Sequence, residues 1–160
     1  MLRVPIWTNI RLFVAGLADL VGAVFGARPV HVAVIGPPGA LAVMTSPDAD
    51  PGYRAMLPEQ SSWRNEICAR AVVSLALYRP VARAARISAP LLVCACDDDV
   101  VTPPRPAALA AERAPHGVLK RYPVGHFDIY SGAWFECAVA DQIVFPTEAL
   151  RVGSRPAVGA

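Results

Sequence analysis

The residues best suited to chemistry are a run of three carboxylates, Asp97, Asp98 and Asp99, and a single imidazole, His126, that follows a glycine. Each stands at the end of an apolar stretch: Leu91–Ala95 runs into the acids, and Val118–Tyr122 runs into Pro123-Val124-Gly125-His126. An imidazole with a carboxylate on one nitrogen is a general base, because the carboxylate fixes its tautomer and stabilises the imidazolium. A base of this kind serves a nucleophile. The chain's serines are Ser46, Ser61, Ser62, Ser74, Ser88, Ser131 and Ser154, and none lies in a Gly-x-Ser-x-Gly elbow; no cysteine does either.

For acid and base to meet, two strands must end side by side. Leu91–Ala95 is apolar on both alternating faces, as a strand covered above and below in a parallel sheet requires. Pro103–Ala114 is Ala-rich with prolines in its first turn, which predicts a helix. Val118–Tyr122 predicts a second strand, and 134–145 a closing helix with Trp134, Ala138, Ile143 and Phe145 on its buried side. Strand, helix, strand, helix makes a right-handed parallel βαβα unit, whose functional groups gather beyond the carboxyl ends of the strands.

Upstream, residues 9–26 carry apolar side chains at helical spacing, with Thr8 or Asn9 as the cap and Gly26 as the stop. The apolar part, Leu12–Ala27, contains Asp19 and falls short of a membrane span. It is expected to be a buried or cap helix, with an interfacial anchor or a secretory signal as alternatives. His31–Ile35 reads as a short β-branched run closed by Gly36-Pro-Pro-Gly39, 40–60 as irregular, and 61–78 as a helix ended by Arg79-Pro80. Arg79, Arg83 and Arg86 read as a solvated face.

The last third resembles the C-terminal end of an α/β-hydrolase. In that family a hydrophobic strand leads to Asp-x-Val-x-Pro, and a later strand to Gly-His-Phe. Asp99 of Asp99-Val100-Val101-Thr102-Pro103 matches the triad acid, and His126 of Gly125-His126-Phe127 matches the triad base. The resemblance implies a partial α/β-hydrolase fold: a helical cap segment over 1–86, a core portion over 87–150, and a disordered tail over 151–160. It also implies Ser-His-Asp hydrolysis of a small-molecule ester or amide, with Asp97 and Asp98 accessory or solvated. Tyr53, Met56, Leu57 and Trp63 would line the pocket, and Pro146 should end the closing helix early. With acid and base but no nucleophile, the chain is expected to be a truncated form, inactive alone. The alternatives are a non-catalytic binding or cap fragment, or a haloacid-dehalogenase-like phosphatase using Asp97 and Asp99 with Mg²⁺.

Composition narrows the classes further. The chain has 160 residues and a net charge of +2 spread along its length, so no nucleic-acid partner is expected. Cys68, Cys94, Cys96 and Cys137 have no metal-ligand spacing, and neighbouring strand positions 94 and 96 do not suggest one. Buried, reduced thiols in a cytoplasmic protein are expected, with no cofactor and no membrane span. Two strands are too few for an independent sheet, so self-association through an exposed edge is expected.

Overall fold

The computed structural model describes residues 6–153, and the chain divides into two compact units that meet in sequence between Tyr78 and Arg79. The first unit begins with α1 (Ile6–Val24), three residues earlier than the spacing predicts, so Thr8 is buried within it. Gly26, at φ +70°, ends it: Gly26 N–H donates to Ala23 O at 3.2 Å and Ala27 N–H to Gly22 O at 2.9 Å. That pair of bonds satisfies carbonyls the helix end would otherwise leave open, and glycine reaches the left-handed backbone at no steric cost.

Three strands follow, where the sequence suggested mostly helix and loop. β1 (His31–Ile35) pairs in parallel with β2 (Ala42–Met44) and antiparallel with β3 (Ile67–Cys68). Between them lies α2 (Ala49–Ala55), inside the segment expected to be irregular. The predicted helix over 61–78 is confined to α3 (Arg70–Leu77). Asn65 explains part of that shortening. Its amide oxygen accepts from Val34 N at 3.0 Å and Ile35 N at 2.9 Å, while its Nδ2 donates to Ile35 O at 2.9 Å. The side chain thereby replaces a strand partner for the end of β1 and holds the chain extended. Leu12, Val32 and Ala69 form the buried centre, with Leu41, Val43, Ile67 and Val72 packed against it; Leu75 and Leu77 face outward.

The second unit opens with a 3-10 segment, Pro80–Arg86, whose arginines Arg83 and Arg86 are exposed. β4 (Leu91–Cys96) and β5 (Gly117–Tyr122) pair in parallel from Leu91↔Gly117 to Cys96↔Tyr122. α4 (Pro104–Arg113) connects them and packs on both strands through Ala108 and Ala111. α5 (Gly132–Gly153) brings Ala138 against Cys96, Tyr122 and Val124. Ala138 is buried and Val139, Asp141, Phe145 and Ala149 are half-buried, at helical spacing, whereas Ile143 is 65% exposed. Trp134 is also largely exposed and touches the core only edge-on to Tyr122, at 6.4 Å between ring centroids.

α5 does not stop at Pro146. A proline inside a helix removes one donor, and here the next residue, Thr147, adds a hydroxyl bond to Ile143 O at 3.3 Å. Residues 151–153, expected in the tail, belong to this helix, and the rest of that tail lies outside the described residues. The cysteines are free, but only Cys96 is buried; Cys137 is exposed, and Cys68 and Cys94 are half-buried.

Candidate active site

Ladder bonds continue beyond the last paired residues of β4 and β5. Asp97 N–H donates to Tyr122 O at 2.8 Å and Asp98 N–H to Val124 O at 3.1 Å, so the two loops leave the sheet together. Asp99 then folds back on its own turn. Its Oδ1 accepts from Val101 N at 2.8 Å and from Thr102 N at 2.7 Å. These two amides would otherwise lack partners just before α4, which starts with prolines. The backbone therefore requires a side-chain acceptor oxygen here, whatever the chemistry of the second oxygen.

The second oxygen of Asp99 faces His126. His126 Nδ1 lies 2.8 Å from Asp99 Oδ2, and Thr102 Oγ1 donates to the same oxygen at 2.7 Å. Thr102 Oγ1 is also 3.3 Å from His126 Nδ1, closing a three-membered cluster. The carboxylate is 8% exposed and the imidazole 21%. Burial alone would raise the Asp99 pKa, but the hydrogen bonds from His126 and from the amide and hydroxyl of Thr102 outweigh it, and the group is held below its ordinary range. The imidazole ring is fixed from its sides by Phe127, edge-on at 4.8 Å, and Tyr130 at 6.2 Å. Behind it, Asp128 Oδ2 accepts from Gly125 N at 2.9 Å and shapes the turn that presents the histidine.

This pair opens onto a cleft of about 410 Å³. Asp99, Thr102 and His126 form one part of its lining, and Ile129, Tyr130, Phe135 and Val139 supply an apolar part. Cys96 also lines it; burial first, then the charge of Asp99, raises its thiol pKa and keeps it protonated. Asp97 is elsewhere engaged, with its Oδ1 2.6 Å from Arg121 Nη2, and Asp98 is exposed. Among the described residues, no group of three or more His, Cys, Asp or Glu is arranged to hold a metal ion. In the first unit, Tyr53 and Trp63 stack on each other at 4.9 Å, and Met56 is exposed.

The structure thus brings Asp99 and His126 together as the sequence spacing anticipates. It adds two features that spacing did not reveal. Thr102 was visible only as a residue of the Asp-x-x-Thr-Pro run. Beneath the cleft, Tyr122 Oη donates to Asp141 Oδ2 at 2.9 Å and Lys120 Nζ pairs with Asp141 Oδ1 at 2.9 Å, tying β5 to α5. Burial and the Asp141 bond raise the Tyr122 pKa, so its hydroxyl stays a donor.

Comparison with solved structures decides the fold. The chain superposes on GrgF, an α/β-hydrolase from Penicillium sp. sh18, with a TM-score of 0.67 at 16% identity, covering 91% of this chain and 50% of that one. It also superposes on a monoacylglycerol lipase from Paleococcus ferrophilus (TM-score 0.55, 18% identity, 82% of this chain and 51% of that one). The chain carries part of the α/β-hydrolase fold. DcsB, solved with a substrate analogue, shares the fold as well, at a TM-score of 0.63 and 19% identity over 89% of this chain and 51% of that one. In sequence, the chain is 41% identical over 138 residues to the quorum-quenching protein AidA of Acinetobacter baumannii (strain MDR-ZJ06), covering 86% of this chain and 45% of that protein. It spans about half the length of these relatives. No protein-family profile matches it. Asp97, the nucleophile of the phosphatase alternative, is paired with Arg121.

Proposed function

We propose that this chain supplies the acid and base of a serine-hydrolase site acting on an ester or amide bond of a small molecule. Asp99 orients His126 through Nδ1, leaving Nε2 to take the proton of an attacking hydroxyl and return it to the leaving group. The 2.8 Å contact between Nδ1 and a nearly buried carboxylate carries this reading. No serine of this chain stands in the strained elbow that hydrolases of this fold use, so by itself the chain performs no turnover. The name of the Acinetobacter relative, a quorum-quenching protein, suits a small-molecule substrate.

A chimera tests the proposal. This chain replaces the matching 45% of the Acinetobacter relative, and hydrolysis of nitrophenyl esters is followed. Turnover is expected. His126→Ala should abolish it, and Asp99→Asn should lower kcat by about 10⁴, the size of the effect when a triad acid loses its charge. Turnover that survives His126→Ala, or a folded chimera with none, refutes the proposal.

A second reading, a binding module without turnover, draws on the absent elbow. It predicts that the isolated chain holds an ester in the 410 Å³ cleft without cleaving it. Equilibrium dialysis with a nitrophenyl ester measures that binding, and a folded chimera that turns nothing over favours this second reading over the first.

A further inference from the structure

α1 is built inside out. A helix on a globular unit ordinarily turns its apolar side inward. The buried stripe of α1 is instead Thr8, Leu12, Gly16 and Asp19. Gly16 allows this, since a Cβ there would stand 2.8 Å from Ala69 O and from Val73 Cγ2 on the neighbouring segment. Asp19 is satisfied from within the unit. Its Oδ1 accepts from Val30 N at 2.8 Å, its Oδ2 from Arg70 N at 2.9 Å, and Arg70 Nε lies 3.6 Å away. Those bonds hold its carboxyl below the usual range.

The opposite side of the helix is apolar from end to end. Trp7, Ile10, Phe13, Leu17, Leu20 and Val24 are all exposed, Trp7 by 71% and Val24 by 79%. At 19 residues the helix is about 28 Å long, so this is a continuous strip rather than a scatter of single side chains. With Asp19 turned inward, the exposed charges of the described helix and of the turn that follows it are Arg11 and Arg28, both cationic.

We propose that the outward strip of α1 docks on an anionic lipid surface, lying in its interface. The helix is long and apolar enough to cross a bilayer by length and composition. Its inward stripe is fastened to Val30, Ala69 and Arg70, however, which keeps it on the surface as part of the folded unit. An interfacial helix pairs an apolar strip with basic residues that reach lipid phosphates, and here Arg11 and Arg28 take that part. A second copy of the chain fits less well. Two such strips brought together would oppose cations to cations with no carboxylate between them.

Flotation with vesicles tests this, since bound protein rises with the lipid while aggregates sink. The intact chain is expected to float with vesicles of phosphatidylcholine mixed with phosphatidylglycerol, and to do so less as salt is added. Phe13→Glu/Leu17→Glu should weaken binding about a hundred-fold or more, because two large apolar side chains no longer enter the lipid. Arg11→Ala should weaken it about five-fold on the anionic vesicles only. Val21→Asp repeats the test if far-UV circular dichroism shows that the double variant has lost its helix. The proposal is overturned if the intact chain does not float, or if these substitutions leave flotation unchanged. It is equally overturned if the strip makes a dimer that Phe13→Glu/Leu17→Glu dissociates and that never floats.

Discussion

Replacing Asp99 by Asn changes one atom's chemistry at the centre of the cleft while nearly preserving its shape. The amide oxygen can take the place of Oδ1 and keep the bonds from Val101 N and Thr102 N. The new NH₂ then stands where Oδ2 accepts from Thr102 Oγ1 at 2.7 Å and meets His126 Nδ1 at 2.8 Å. A donor facing Nδ1 forces that nitrogen to give up its proton, and the neutral ring moves to the Nε2–H tautomer. In the unsubstituted chain the bond from Nδ1–H to a carboxylate favours the other tautomer by about 1.5–3 kcal/mol, the range for hydrogen bonds to charged groups. At about 1.4 kcal/mol per factor of ten, that is a ratio of roughly 10 to 150. Long-range ¹H–¹⁵N correlation on the ¹⁵N-labelled chain, recorded where the ring is neutral, distinguishes the two nitrogens. The expected result is Nδ1–H in the unsubstituted chain and Nε2–H in Asp99→Asn. A majority of Nε2–H before substitution would mean that Nε2 was never free to accept a proton, and no change after it would mean that Asp99 does not set the tautomer; either result refutes the reasoning.

Further expectations concern stability. Gly117→Ala places a Cβ 2.8 Å from the backbone carbon of Ala111 in α4, so the helix must shift. Overpacking costs about 1–3 kcal/mol, against a gain of about 0.4–1 from a stiffer unfolded chain, and thermal unfolding should start several degrees lower. An unchanged melt would show that α4 does not press on β5 as described. Asp19→Ala leaves the amides of Val30 and Arg70 without their acceptor, and urea unfolding should show a clear loss of stability; a neutral result would mean the carboxylate is not holding α1. Acid should destabilise the chain through Asp19, Asp99 and Asp141. Each has a folded pKa below the ordinary 3.8, so its contribution is complete above that value and is lost as pH falls through the lowered one. Asp99→Asn should flatten part of that acid limb, and an identical limb in the variant would count against the assignment.

How far the sequence could be read depended on element length. β4 and β5 are six residues each and parallel, and an apolar run of that length bounded by Asp and Pro-Val-Gly announces itself. β2 and β3, at three and two residues, are too short for alternation to register, and β1 ends against a side chain, Asn65, that no periodicity reveals. The apolar spacing in α1 correctly signalled a helix but not which side faces inward, because Gly16 and Asp19 are held by groups far along the chain. At the cleft, Asp99 and His126 were legible from the strand ends. The share taken by Thr102 was not, since it depends on a turn closing on its own carboxylate.

The rungs from Asp98 to Val124 and from Asp97 to Tyr122 reach into both loops. The imidazole and the carboxylate that orients it are therefore mounted on one bracket. Breathing of neighbouring segments can widen or narrow the mouth of the cleft, yet it should move the two groups as a single piece. The amide hydrogen of Asp98 offers a gauge of that bracket, and its exchange with deuterium should report the moment when the relay comes apart.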